Sequence, residues 1–398
     1  MTAPLEGYRI LDLADEKAAH CVKTLADLGA QVVKVEPPEG NSMRRLPPFA
    51  KDIPHPERSL FFAYYNTNKR SITLNIESPK GRDIFKHLVT RFDAVVESFS
   101  PGTLSRLGLD YNSLRESNPR IILTSITGFG QNGPHSQYKA PDLVCFAMGG
   151  PMYPSGEADK APCVAPGNLA YGVAGAWAAA GTIIALYHLA MSGMGQHIDV
   201  SAQEAAAMIT DSALTRLSYE GFVMPRQGNT YLWVTPGDLY PCKDGWVRIV
   251  SGQLVHWRRL VEWMGRPEPL GDSAWESREK RNQNKAFVDG MISDYTRRFT
   301  RAELFTEGQQ SGVPVTPVNT PLEYMETTVA ERRQFFVEVE HPYLGRHSYA
   351  GPPYKFTDTP ARGPKAAPLL GEDNEDIYCE ELGFTGEDLC VLRADGVI

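Results

Sequence analysis

Residues 8–35 read YRILDLADEKAAHCVKTLADLGAQVVKV, and this stretch decides the fold. Its first part, residues 8–13, predicts a short buried strand, and residues 17–28 carry apolar side chains at helical spacing. Gly29 ends that helix, and residues 31–35 predict a second strand. A strand, a helix and another strand in immediate succession indicate a β-α-β unit with parallel strands.

The same alternation continues to about residue 125. Further strands are predicted at residues 71–74, 93–97 and 121–124, with a helix at residues 80–91 that begins at a proline. The chain is therefore predicted to be an α/β protein with a parallel sheet covered by helices on both faces. Ligands of such sheets bind beyond the carboxyl ends of the strands. The loops in question are residues 15–18, 97–102 and 126–133.

The loop after the first strand excludes several nucleotide-binding classes. It reads Ala14-Asp15-Glu16-Lys17, with no glycine to let a phosphate approach the backbone. Its two acidic residues would also repel a pyrophosphate at a helix N-terminus. We therefore do not expect NAD, FAD or P-loop nucleotide binding.

Composition restricts the function further. The chain has 398 residues and a net charge of −8, which argues against nucleic-acid binding. Its six cysteines form no C-x-x-C pair and its nine histidines form no H-x-x-x-H pair, so we predict no metal site. Unpaired cysteines are typical of reduced thiols, which predicts a cytoplasmic location.

One uncharged run, residues 169–195, is long enough to cross a bilayer. It consists largely of Gly and Ala, and no Lys or Arg cluster flanks it to set an orientation. We predict a buried, close-packed helix and no membrane span. A short strand is predicted at residues 197–201, and a helix at residues 202–218.

The pattern changes near residue 225. Residues 228–250 have the turn signals and the Trp, Tyr and Val content of antiparallel strands, with a turn at Lys243-Asp244-Gly245. Helices are then predicted near residues 254–264, 284–297 and 301–311. Residues 225–330 are therefore predicted to form a smaller second domain.

Motifs alone reveal little chemistry. No G-x-S-x-G elbow occurs, so an α/β-hydrolase is not expected. Asp12, Asp142 and Asp199 stand at element ends and are interpreted as cap or turn residues. The cationic pairs Arg44-Arg45 and Lys69-Arg70 are expected to be solvated. These features indicate an enzyme-like soluble α/β protein without specifying its reaction.

Several motifs, in order along the whole chain, resemble those of the family III CoA-transferases. They are Leu11-Asp12, LADLGA at 25–30, VKVEP at 33–37, NTNKRSI at 66–72, SPG at 100–102, LGL at 107–109, GMGQ at 193–196 and APLLG at 367–371. The resemblance implies a Rossmann-like large domain from residues 1–224 and 331–398, and a small α+β domain from residues 225–330. It also implies an interlaced dimer, in which each chain threads through its partner.

The resemblance also implies where the nucleophile should stand. Active family members carry an aspartate four residues before a helix glycine, and this carboxylate takes up the acyl group and then CoA. The matching glycine here is Gly175, so the position is occupied by Tyr171. A phenol cannot perform that exchange. The catalytic residue of this chain is therefore left unassigned.

A CoA pocket is also implied, with the CoA thioester as substrate and no cofactor. Arg106 and Lys139 stand where the family places cations near the CoA phosphates, and Leu74 and Phe99 where it packs the adenine. The chain departs from the pattern at the same pocket. Asp15, Glu16 and Lys17 replace a stretch containing a histidine and neutral residues, Pro37 and Glu77 replace cations, and Ser98 replaces an asparagine.

Two functions follow from the resemblance. The first is a non-catalytic subunit whose Asp-bearing paralogue does the chemistry in a hetero-oligomer, moving CoA from an acyl-CoA such as succinyl-CoA to an acid such as benzylsuccinate. The second is an independent acyl-CoA transferase, or a CoA-thioester racemase or isomerase, that uses another residue such as Asp142 or Glu204. A binding or regulatory protein is the remaining class.

Overall fold

The computed structural model describes residues 3–210, 212–230 and 233–398. Its strands are β1 Arg9–Asp12, β2 Gln31–Glu36, β3 Lys69–Thr73, β4 Ala94–Glu97, β5 Ile122–Thr127, β6 His197–Ser201, β7 Gly237–Cys242, β8 Gly245–Val250, β9 Val315–Pro317, β10 Phe336–His341 and β11 Gly345–Ala350. The first six form one sheet in the order β3-β2-β1-β4-β5-β6, and every neighbouring pair is parallel. The predicted α/β class is confirmed.

Helices connect these strands and cover the sheet. They are α1 Ala19–Asp27, α2 Leu60–Tyr65, α3 Pro79–Val89, α4 Thr103–Leu107, α5 Tyr111–Ser117, α6 Asp142–Met148, α7 Leu169–Ser192, α8 Ala202–Ala207, α9 Ser212–Glu220, α10 Leu254–Trp263, α11 Arg278–Gln283, α12 Lys285–Thr296, α13 Arg301–Gln310, α14 Pro321–Met325, α15 Thr328–Arg332 and α16 Gly386–Ala394. Strand order reverses between β1 and β4, so the loops after these two strands diverge and open a crevice at the carboxyl edge.

Alternating side chains of the central strands enter two separate hydrophobic cores. Ile10 packs in a cluster with residues of α1, α7 and α8. Leu11 packs in another cluster with residues of α3, α5 and α16. Because both faces are covered, the strands read as nearly continuous apolar runs rather than as alternating ones.

Helix α7 lies against α1 at a glycine contact. A β-carbon placed on Gly175 would lie only 2.9 Å from the Cβ of His20 and 3.0 Å from the backbone nitrogen of Cys21. Glycine is therefore needed at this position for the two helices to approach so closely. The helix ends at Gly193, whose φ of 75° is in the left-handed region.

Only half of α7 meets the prediction of a buried helix. It is the one helix in the described residues long and apolar enough to cross a membrane, and half of its most apolar window is buried inside the protein. An apolar stripe along its outer face remains exposed in the single chain. The stripe consists of Trp177, Ile184, Tyr187 and Met191, which are 54–73% exposed.

The chain divides into two compact units. One contains Met1–Met152, Val164–Thr215 and Glu331–Ile398, and the other contains Tyr153–Cys163 and Arg216–Ala330. The second unit has its own antiparallel sheet, β7-β8-β9, and a core that includes Trp257. Within it, the buried guanidinium of Arg281 donates to the carbonyls of Thr235, Trp275, Glu276 and Gly252.

Two of the cations expected to be solvated are buried, so that interpretation was wrong for them. Arg44 is 1% exposed and binds both carboxylate oxygens of Glu36 at 2.7 and 2.8 Å. Lys69 is 6% exposed and donates to Asp12 at 2.9 Å. Glu36 ends β2 eight residues before Arg44, whereas Asp12 lies on β1 and Lys69 on β3, so the sheet brings that second pair together. Burial lowers the pKa of Lys69 to about 8, although Asp12 opposes this shift.

Candidate functional site

A cavity of about 300 Å³ lies at the carboxyl edge of the large sheet. The loops after four neighbouring strands, β3, β2, β1 and β4, line it together with α4. Its lining residues are Leu13, Asp15, Val35, Pro37, Gly40, Asn41, Ser42, Arg45, Leu74, Asn75, Ile76, Glu77, Ser98, Phe99, Thr103 and Leu107. The crevice predicted from the strand pattern is therefore a real cavity, and we call it the edge cavity.

The structure separates the four residues assigned to CoA. Leu74 and Phe99 both line the edge cavity. Arg106 stands on α4 beside it, where it donates to both oxygens of Glu77 at 2.9 and 3.1 Å. Lys139 is exposed in the loop between β5 and α6, outside the lining. A CoA-binding role for each of them stays a prediction.

Four of the residues that the resemblance marks as departures from the family pattern line the same cavity: Asp15, Pro37, Glu77 and Ser98. The Asp15 carboxylate accepts from the Ser98 hydroxyl at 2.7 Å and pairs with Lys17 at 2.6 Å. Sequence reasoning missed the cation in this lining, Arg45, because its pairing with Arg44 suggested a solvated loop. The lining of the cavity thus combines apolar side chains with two acidic residues, Asp15 and Glu77, and the cation Arg45.

Tyr171 lies in the first turn of α7 with its side chain turned inward. It is 4% exposed, and its hydroxyl donates to the carbonyl of Ala140 at 2.6 Å. Burial, together with the nearby Cys145 thiol, raises the pKa of the phenol far above its usual range. The hydroxyl is therefore a neutral, internally satisfied donor.

Asp142 meets the same turn of α7 from α6. Its Oδ1 accepts the backbone N–H of Tyr171 at 2.9 Å, so this carboxylate satisfies one of the free donors at the start of the helix. This contact agrees with the interpretation of Asp142 as a cap residue. Glu204, the other candidate carboxylate, is exposed in the first turn of α8.

A second, polar cavity of about 640 Å³ adjoins the ends of β4 and β5. Glu97, Ser125 and His197 line it on three neighbouring strands, β4, β5 and β6. Ser125 lowers the pKa of Glu97, and the Oγ of Ser125 lies 3.0 Å from Nε2 of His197. Burial raises the pKa of Glu97 to about 7, and burial lowers the pKa of His197.

This chain of side chains was not predicted. The sequence had pointed to the loop at residues 97–102, but it assigned no role to Glu97 or His197. The only available signal was their position at the carboxyl ends or on the edge strand of a parallel sheet. For metals, the described residues contain no group of three or more His, Cys, Asp or Glu side chains that could hold an ion.

The chain is similar to known proteins over its whole length. A family model described as CoA-transferase family III matches residues 5–374. A formyl-CoA:oxalate CoA-transferase of Streptomyces avermitilis is 34% identical over 100% of both chains. The succinyl-CoA:(R)-benzylsuccinate CoA-transferase subunit BbsE of Thauera aromatica is also 34% identical, over 94% of this chain and 93% of that one. A crystal structure of a CaiB/BaiF family protein from Brucella suis superposes with a TM-score of 0.85 and 29% identity, covering 96% and 100% of the two chains.

Proposed function

This chain belongs to CoA-transferase family III, and from that premise we propose that it is the non-catalytic subunit of a hetero-oligomeric CoA-transferase. The enzyme moves CoA between an acyl-CoA, such as succinyl-CoA, and a carboxylic acid, such as benzylsuccinate. A homologous chain that carries the aspartate performs the exchange. No cofactor takes part, because CoA enters as the thioester substrate.

The state of Tyr171 carries this proposal. The family exchange needs a carboxylate that forms an anhydride with the acyl group and then a thioester with CoA. At the matching position this chain has a buried phenol held by the Ala140 carbonyl. Such a group is neither ionised at neutral pH nor exposed to a thioester. The position therefore serves packing in this chain.

The relatives support the assignment to a multi-subunit transferase. The protein BbsE is named as one subunit of a benzylsuccinate CoA-transferase, and it matches this chain nearly end to end. By extension, we propose a cytoplasmic role in the breakdown of an aromatic compound. The edge cavity, with Leu74 and Phe99 on its wall, is the place where the adenine end of CoA would pack.

The apolar stripe on α7 supports a protein partner. Trp177, Ile184, Tyr187 and Met191 fall on one face of the helix at steps of seven, three and four residues. Large apolar side chains arranged contiguously on a surface mark an interaction site. We propose that the Asp-bearing paralogue covers the stripe in an interlaced dimer.

Co-expression tests the subunit assignment. This chain and a candidate Asp-bearing paralogue are purified alone and together, and CoA transfer from succinyl-CoA to benzylsuccinate is assayed in each preparation. We expect activity in the pair and none in this chain alone. Transfer by the isolated chain would show that the subunit assignment is wrong.

Two variants at position 171 serve as controls. Tyr171→Phe keeps the packing and removes only the hydroxyl, so we expect the pair to remain active. Tyr171→Asp restores the family residue, but we expect it to leave the isolated chain inactive, because charges in the edge cavity also differ from the family pattern. Recovery of transfer by Tyr171→Asp alone would contradict that explanation.

The position of Asp142 favours one alternative, an independent transferase. Its carboxylate already meets the first turn of α7, beside the place implied for the family nucleophile. If the isolated chain transfers CoA, Asp142→Asn should abolish that activity while the exposed Glu204→Gln should not. Mass spectrometry of the chain incubated with an acyl-CoA would locate any covalent CoA adduct.

A further inference from the structure

Glu97 is a buried acid that the transferase chemistry does not use. It is 2% exposed at the end of β4, directly before the loop that carries Phe99. The backbone N–H of Phe99 donates to Oε2 of Glu97 at 2.7 Å. Phe99 lines the edge cavity, whereas Glu97 lines the polar cavity. The strand end therefore links the two cavities.

The partners of Glu97 form a path from its carboxyl group to solvent. Ser125 is opposite Glu97 on β5, and His197 lies on β6, where it is partly exposed to solvent. When Glu97 is ionised, Nε2–H of His197 donates to Ser125 and the Ser125 hydroxyl donates to the carboxylate. Each hydrogen bond in the path then has one donor and one acceptor.

Uptake of one proton reverses the direction of each hydrogen bond in this path and leaves no group without a partner. His197 takes a solvent proton at Nδ1 and passes the proton from Nε2 to Ser125, which passes its own to Glu97. The carboxyl group is now neutral and donates to Ser125, and Ser125 donates to the bare Nε2. The tautomer of His197 therefore follows the charge of Glu97.

We propose that Glu97 is a positioning residue for CoA binding, which holds the Phe99 loop through the Phe99 N–H, and that Ser125 and His197 carry its proton to and from solvent. The proposal rests on the proposed function, in which the edge cavity takes the adenine end of CoA. An ionised carboxylate accepts a hydrogen bond about twice as strongly as a neutral group. The Phe99 loop is therefore held most firmly when Glu97 is charged.

Groups on each neighbouring element act on this acid. Asp15 and Lys17, after β1, respectively raise and lower its pKa, and Ser125 on β5 lowers it. On β6, Asp199 raises the pKa of His197, while the ring of Tyr111 stacks on that imidazole. Asp110 lines the same polar cavity. Burial outweighs the lowering contributions and leaves Glu97 titrating near pH 7.

The loop itself provides a readout that needs no ligand. In protein labelled with ¹⁵N-phenylalanine, we expect the Phe99 amide signal to shift with a midpoint near pH 7. Glu97→Gln should abolish that shift. Ser125→Ala should retain it with a higher midpoint, because a hydrogen bond that lowers the pKa is lost. A Phe99 amide that does not titrate between pH 5.5 and 8.5 would overturn the proposal.

Calorimetric titration with CoA provides the functional readout. We expect wild-type affinity to fall about fivefold from pH 8 to pH 6 beyond any change seen in Glu97→Gln. The CoA phosphate titrates near pH 6 and so changes the affinity of both proteins. The variant measures that change by itself, because it lacks the titrating carboxyl group. Identical pH profiles of CoA affinity in the two proteins would overturn the positioning role. A chain that binds no CoA at any pH would instead contradict the proposed function, while the Phe99 titration still decides the role of Glu97.

Discussion

At the residue scale, the edge cavity is shaped by one exposed ion pair. Glu77 lines the cavity, and both of its oxygens bind Arg106, the cation expected to meet a CoA phosphate. Hydrogen bonds from Arg106 hold the pKa of Glu77 below its usual range, so the glutamate stays charged. A bound phosphate would therefore have to compete with Glu77 for the guanidinium.

Glu77→Gln should free that guanidinium. We expect CoA to bind about two- to fivefold more tightly, because exposed pairs are worth no more than about 1 kcal/mol and one repelling charge is removed. Calorimetry at low salt measures the change, with Arg106→Gln as the matched control that should not tighten binding. Weaker binding by Glu77→Gln would mean that the pair does not oppose the ligand.

Glu97 also makes stability depend on pH. Its pKa is about 7 in the folded chain, against an ordinary value of 4.5 for a solvated glutamate, so the folded protein binds more protons between these values. The contribution of Glu97 to stability therefore decreases as pH rises from 4.5 to 7. We expect Glu97→Gln and the wild type to have the same free energy of unfolding at pH 4.5. At pH 8 the variant should be more stable by up to about 3 kcal/mol and should therefore unfold at a higher urea concentration. An equal difference at both pH values would contradict this account.

At the element scale, the contact between α1 and α7 depends on the absence of a side chain. Gly175 has no room for a β-carbon against His20 and Cys21. Gly172, one turn earlier on the same helix, has no neighbouring atom within 4 Å of the equivalent position. Substituting Gly172 therefore tests helix propensity alone, whereas substituting Gly175 also tests the packing of α7 against α1.

Gly175→Ala should destabilise the large unit. The new methyl group would push α1 away from α7, which costs about 1–3 kcal/mol in a well-packed core. Gly172→Ala should instead be neutral or stabilising by up to about 1 kcal/mol, because alanine favours the helix. Urea unfolding of both variants measures the difference, and equal effects would show that the close approach is unimportant.

At the scale of the whole molecule, the apolar stripe suggests an incomplete assembly. Ile184 and Tyr187 are 66% and 69% exposed on a helix whose opposite face lies in the core. Apolar area of this kind is normally buried against another chain. The proposed subunit function provides a partner for it.

Charges in the stripe should prevent assembly without unfolding the chain. We expect Ile184→Glu and Tyr187→Glu to retain the wild-type circular dichroism but to lose co-purification with the Asp-bearing paralogue. Val391→Glu is the matched control, because Val391 is an apolar residue 52% exposed on α16. A stripe variant that still co-purifies fully would exclude α7 from the interface.

Local patterns and family motifs in the sequence determined the order of strands and helices, the parallel sheet and the membership in CoA-transferase family III. Strands and helices are specified by periodicities over a few residues, so these can be read without knowledge of the fold. The same patterns placed the crevice at the carboxyl edge, where the edge cavity lies. They also predict that Tyr171 occupies the position of the family nucleophile.

Only the tertiary structure decided which charges meet. Lys69 is buried because the sheet brings Asp12 to it from 57 residues away, whereas the turn after β2 folds Arg44 back onto Glu36. Ser125 and His197 are 72 residues apart, yet adjacent strands bring them within 3.0 Å. Burial and electrostatic pairing depend on such long-range neighbours, and no local pattern encodes them. The same reason hid Glu97, whose raised pKa comes from its surroundings and not from its neighbours in sequence.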